Sequence, residues 1–195
     1  PTAMAEFRIG RWYSAMLENK TDLNADLKKE YLEQLTQWTG KGETHLPATL
    51  RLGHAKSQIS HMYNLQALNQ AAMAHFSGHK DFSAAEKAFQ AALNVLAPED
   101  DVHTYNGMLY VRLTYAAFLA SEFGKARLND IRTILLPITK QTRFPGYPFP
   151  FYAFVKNRLV RPEQEPKFHQ DMQRLQQLVP EFDQFLKEHG LVGAQ

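Results

Sequence analysis

The sequence predicts an all-α fold. Residues 71–98 carry two apolar stripes with helical spacing, separated by the short turn SGHKDF, and this pattern predicts two helices folded back on each other. A second stretch, 103–137, repeats the pattern and ends at Pro137. Two successive helical hairpins indicate a chain built from packed helices, and the 195 residues are expected to form a single helical domain.

A repeated tetrad relates the two hairpins. His61-Met62-Tyr63-Asn64 recurs as His103-Thr104-Tyr105-Asn106, forty-two residues later. The turn SGHKDF then corresponds to ASEF, and the alanine that follows each turn recurs at a period near 41. The sequence therefore predicts two copies of one helical unit, at 61–98 and 99–137.

The first copy resembles a known repeat family. Its small and aromatic residues have the spacings of a tetratricopeptide (TPR) repeat, with the closing Pro98 one residue late; they are Phe76, Phe82, Ala85, Phe89 and Ala92. The period exceeds the roughly 34 residues of that family, which longer first helices would accommodate. The resemblance covers about 61–137. It implies a TPR-like α-solenoid, a right-handed stack of antiparallel hairpins with a concave face.

The resemblance also implies a function in recognition. Proteins of the TPR family usually bind peptides or protein segments along the inner face and rarely carry chemistry themselves. Asparagine and arginine can bind an extended backbone or a carboxylate, and tyrosine provides rigid contact area. The alternative is that the polar residues on the first helix of each hairpin are simply solvated. The predicted partner-binding residues are Tyr63, Asn64, Asn69, Gln70, Tyr105, Asn106, Tyr110 and Arg112.

The first sixty residues predict degenerate helices before the repeats. Helical spacing covers 7–17 and 27–38, and Gly40 with Gly42 is expected to stop the second helix. Pro47 would then lie in the first turn of the next helix.

The stretch 48–77 allows two interpretations. It forms either one helix of about thirty residues or two helices with a turn near Tyr63-Asn64.

An aromatic and proline-rich loop is predicted at 138–150. Aromatic side chains there alternate with basic residues, which permits a second partner-binding patch made of Arg143, Tyr147, Phe149, Phe151 and Lys156. The favoured alternative is a clasp that folds over the end of the repeat stack. Nucleic acid or a membrane surface is the least favoured partner of this segment.

The last segment, 151–195, is predicted to be a C-terminal cap. Pro150, Pro166 and Pro180 stand where helices begin, and Gly190 stands where the last one ends. Helix faces that are apolar on one side and rich in glutamine on the other suit the end of a stack.

Composition excludes several classes of function. The net charge of +2 does not predict a nucleic-acid partner, and the absence of cysteine excludes disulfides and thiolate metal sites. The pair His75 and His79 has metal-ligand spacing, but Gly78 interrupts the turn, so no metal or other cofactor is expected. The sequence has no nucleophile elbow and no phosphate-binding glycine loop, and we therefore expect no enzyme activity.

Two function classes remain open. The first is a scaffold or adaptor domain that recognises a protein segment on the concave face. The second is a ligand- or peptide-sensing regulatory domain of a multidomain signalling or transcription regulator. An enclosed cavity with convergent polar groups would favour the second, and an open polar groove would favour the first. Because the chain begins with Pro1 and its first methionine is Met4, we expect a fragment of a longer protein. No apolar run approaches the roughly 18 residues needed to span a bilayer, so we expect the fragment to be cytoplasmic or otherwise soluble.

Overall fold

The computed structural model of the chain describes residues 2–98, 101–140, 144 and 149–192. These residues form nine α-helices and one short 3-10 helix, with no strand among them, which confirms the all-α prediction. The chain divides into two compact units, Pro1–Ala97 and Pro98–Gln195.

Unit 1 contains four helices. Their bounds are α1 Ala3–Asn19, α2 Ala25–Leu50, α3 Lys56–Phe76 and α4 Ser83–Leu96. The first two helices pack against each other, as do the last two, and α3 also contacts α1 and α2. The three-helix contact is filled at one end by a cluster that includes Phe7, Leu46 and Met62, and at the other by one that includes Leu17 and Leu35.

The glycines in α2 do not stop the helix, so that prediction is wrong. The helix continues through both of them to Leu50, with Pro47 in its last turns rather than in the first turn of a new helix. Gly42 is buried, and a Cβ atom there would lie 2.6 Å from ring atoms of Phe7. This glycine therefore serves helix packing, a role that its local sequence does not distinguish from a helix end.

The structure also distinguishes between the two interpretations of the stretch 48–77. One helix ends at Leu50 and the next begins at Lys56, so two helices are present and the turn lies at 51–55. Gly53 allows that turn through its positive φ of 72°. The tetrad at 61–64 lies inside α3, so the turn is not at Tyr63-Asn64.

Unit 2 contains the remaining elements. Its helices are α5 Val102–Glu122, α6 Leu128–Lys140, α7 Phe149–Leu159, α8 Pro166–Leu178 and α9 Pro180–Glu188, with the 3-10 helix at Gly124–Arg127. The most buried of these is α5, which contacts α6, α7 and α8. Aspartate is a residue typical of a helix start, and the Asp101 carboxylate accepts hydrogen bonds from the N–H groups of His103 and Thr104 at 2.7 and 3.0 Å.

Two predicted helix starts, at Pro166 and Pro180, are confirmed, whereas the predicted end at Pro137 is wrong because α6 continues through that proline to Lys140. Pro166 and Pro180 occupy the first positions of their helices, and Gly190 follows the last helix with a positive φ of 62°.

The helices do not show TPR-like repeats. The first copy of the tetrad lies within α3 of unit 1, and the second begins in the first turn of α5 of unit 2. The solenoid stack therefore stays a prediction. Within the described part of the chain, no helix combines the length and the apolar character needed to cross a membrane.

Candidate functional site

The partner-binding residues predicted in unit 1 contact other parts of unit 1. Asn69 is fully buried, and its Nδ2 donates to the carbonyl oxygen of Phe7 at 3.0 Å. Asn64 is also buried, and Gln70 donates to the Glu43 carboxylate at 2.6 Å. Tyr63 packs against the core cluster around Phe7. Asn69 and Gln70 thus hold α3 to its neighbouring helices.

The four partner-binding residues predicted in unit 2 also make contacts within that unit. Tyr105 is buried, with its ring 5.5 Å from that of Phe144. Asn106 donates to the Val102 carbonyl at 2.9 Å.

The other two link α5 to α7 and α6. The Tyr110 hydroxyl donates to the Pro150 carbonyl at 2.8 Å, and Arg112 donates to the Ile134 carbonyl at 3.2 Å. Tyr110 and Arg112 therefore stabilise contacts between helices of unit 2, whereas the Asn106 hydrogen bond lies within α5.

The predicted second patch is only partly described. Arg143 and Tyr147 lie outside the described residues. Phe151 is buried in α7, with its ring 5.8 Å from that of Tyr110, whereas Phe149 is 75% exposed and Lys156 is exposed. The described members therefore do not share one environment.

A cavity that the sequence did not indicate lies in unit 1, where the start of α1 meets the start of α3. Its volume is about 420 Å³. Met4 and Arg8, one helical turn apart, line it from α1, and His54 lines it from the 51–55 turn. We call this cavity the Arg8 pocket.

Helix α3 supplies the opposite wall of the Arg8 pocket. Ser57 and His61 are one turn apart, as are Gln58 and Met62, so two adjacent rows of the helix face the cavity. Ala55, at the N-cap, provides no side-chain cap, and the positive end of the helix dipole borders the pocket.

The pocket is basic. Arg8 is exposed and forms no ion pair with a described residue, and none of the described residues that line the cavity is acidic. Burial, and secondly the positive charge of Arg8, lower the pKa of His61 below its ordinary value. At neutral pH the pocket therefore offers a guanidinium together with a neutral imidazole at position 61.

One lining side chain has unused hydrogen-bonding capacity. The Nε2 atom of His54 is buried and has no hydrogen-bond partner among the described residues. A buried polar atom without a partner costs about 1–3 kcal/mol. A ligand that supplied a partner would recover part of that free energy.

Sequence reasoning missed the pocket because its walls come from distant parts of the chain. His54 and His61 are seven residues apart, about two helical turns, and such a pair is more often structural or exposed than part of a site. Their spacing, with Ser57 and Gln58 between them, was the available sequence signal for a shared polar surface. Arg8 could be added only by the packing of α1 on α3.

Comparison with known proteins finds no match: no family model fits the chain, and neither a curated protein nor a solved structure is similar to it. Within the described ranges, no group of three or more His, Asp or Glu side chains is arranged to hold a metal ion. Fold and site thus define a helical protein with a basic pocket in unit 1.

Proposed function

We propose that this chain is a recognition domain, a scaffold or adaptor that binds a segment of a partner protein. The Arg8 pocket is the observation that carries the proposal. Its lining residues Thr2, Arg8 and Gln58 are exposed, so the pocket is open to solvent rather than the enclosed cavity that would favour a sensor. It gathers a guanidinium, two imidazoles, two hydroxyls and an amide around one cavity, and a few convergent polar groups in a cavity are typical of a binding site.

The place of binding differs from the concave face that the TPR resemblance implies. The residues proposed for that face lie in two units and make contacts within them. The pocket is better suited to a ligand, because Arg8 has no ion-pair partner in the described chain. Recognition on a concave face stays the second possibility for the same function.

A ligand-sensing regulatory domain is the second candidate function. The volume of the pocket, about 420 Å³, falls within the roughly 300–1,000 Å³ of small-molecule sites. In a sensor, the pocket would bind a small ligand instead of a peptide.

Selection of peptides from a random displayed library by the intact chain tests the proposal. We expect an enriched peptide whose affinity, measured by fluorescence polarisation, falls about tenfold or more in Arg8→Ala, since a charge-assisted hydrogen bond contributes about 1.5–3 kcal/mol. Arg132→Ala, which removes an exposed arginine from α6, is the matched control and should bind normally.

Two outcomes would count against this assignment. If no peptide is enriched, the chain is not a peptide-recognition domain. If the enriched peptide binds Arg8→Ala normally but loses affinity in a folded Gln70→Ala/Arg112→Ala double variant, the predicted concave face replaces the pocket as the site.

A further inference from the structure

We infer that the Arg8 pocket binds a carboxylate attached to a short apolar side chain, as found in the C-terminal residue of a peptide or in a small organic acid. This inference rests on the pocket being a binding site, and it adds the chemical class of the ligand. The inference is based on three features of the pocket lining: its charge, its hydrogen-bond donors and its apolar surface.

The charge of the lining calls for an anion. Arg8 brings a permanent positive charge into a cavity that no described acidic side chain lines. A guanidinium pairs with a carboxylate through two parallel hydrogen bonds, and it is less strongly hydrated than an ammonium group. The N-terminus of α3 adds a favourable electrostatic potential on the opposite wall.

The number of charges favours a carboxylate over a phosphate. Burial and Arg8 together lower the pKa of His61 and so favour its neutral form, which leaves Arg8 as the permanent charge of the lining. One guanidinium balances the single charge of a carboxylate. A phosphate monoester carries a charge of about −1.5 to −2 and would leave part of it unbalanced.

Two methionines indicate what the carboxylate is attached to. Met4 lines the pocket from α1 and Met62 from α3, so the cavity has apolar surface on both walls. The thioether side chain is flexible and adapts to apolar groups of different shape. The volume of about 420 Å³ is in the lower half of the range for small-molecule sites, which suits one terminal residue.

Calorimetric titration of the full chain tests the inference. The probes are N-acetyl-leucine and the peptide acetyl-Gly-Gly-Leu, each with a free carboxylate and as its C-terminal amide, and inorganic phosphate. We expect a free acid to bind about tenfold or more tightly than its amide, because the amide lacks the charge that Arg8 pairs with. Phosphate should bind more weakly than the acid.

Three variants separate charge from folding. Arg8→Gln should remove the preference for acid over amide, whereas Arg8→Lys should retain part of it because the charge remains. Arg132→Gln removes a charge elsewhere and should leave the preference unchanged. Equal affinity for acid and amide, tighter binding of phosphate, or an unchanged preference in Arg8→Gln would each overturn the inference.

The outcomes distinguish this inference from the proposed function. If N-acetyl-leucine binds through Arg8 but no peptide does, the ligand class stands and the peptide-recognition function falls. If a displayed peptide binds at the pocket equally well as acid and amide, the function stands and the carboxylate inference falls. Binding of neither class would reject both.

Discussion

At the scale of single residues, the electrostatic effect of Arg8 on His61 joins two helices far apart in sequence. Burial of the imidazole is the larger cause of the lowered pKa of His61, and the positive charge of Arg8 lowers that pKa further. The pKa of His61 therefore reports whether α1 and α3 pack as described.

Replacing Arg8 by alanine should raise the pKa of His61, because a repelling charge is removed. The pKa should stay below its ordinary value, since burial is the larger cause of the shift. An NMR titration of the histidine ring protons measures this change. Arg8→Lys, which keeps the charge, is the control, and an unchanged pKa in Arg8→Ala would contradict the described proximity.

The lowered pKa of His61 also makes the stability of the fold depend on pH. The unfolded chain binds a proton at His61 at a higher pH than the folded chain does, so protonation favours unfolding. The contribution of His61 to the free energy of unfolding is therefore complete above the ordinary histidine pKa and decreases as the pH falls below it.

At the scale of secondary structure elements, two glycines of α2 illustrate how packing decides the role of a residue. A Cβ atom on Gly40 would meet nothing within 4 Å, whereas one on Gly42 would lie 2.6 Å from the Phe7 ring. Phe7 is fully buried and has no free space to move into.

The two glycines should respond oppositely to alanine. Gly40→Ala should raise the free energy of unfolding by up to about 1 kcal/mol, because alanine is the better helix former. Gly42→Ala should lower it by about 1–3 kcal/mol through overpacking against Phe7. Urea denaturation of the two variants and the unchanged chain measures both effects. Equal changes of the same sign would show that α2 does not pack on α1 at Gly42.

A similar relation joins α1 to α3. A Cβ atom at Gly10 would lie 2.6 Å from the Nδ2 atom of Asn69, the atom that donates to the Phe7 carbonyl. The absent side chain of Gly10 therefore admits the buried asparagine. Polar character made Asn69 a candidate for partner binding, but its hydrogen bond holds two helices together.

At the scale of the whole molecule, the contacts divide the chain between Ala97 and Pro98. Unit 1 has core clusters that include Phe7 and Leu35, and unit 2 has buried residues of its own along α5 and α9. This division does not test the expectation of one domain. Measuring whether each unit folds alone would test it.

Each unit should fold when expressed alone. Residues 1–97 and 98–195 each have a hydrophobic core and a length at which single domains usually unfold cooperatively. Circular dichroism should show a helical spectrum and one cooperative thermal transition for each fragment. Absence of a transition in either fragment would mean that its stability depends on the rest of the chain, as expected for neighbouring repeats of a solenoid.

The sequence by itself determined the helical class, three helix starts and one helix end. The Asp101 cap, Pro166, Pro180 and Gly190 act through atoms within a few residues of themselves, so their effects can be predicted locally. Tertiary structure alone decided the course of α2, the burial of Asn69 and the Arg8 pocket. The physical reason is that each depends on atoms distant in sequence: Phe7 beside Gly42, the Phe7 carbonyl at Asn69, and Arg8 facing His61.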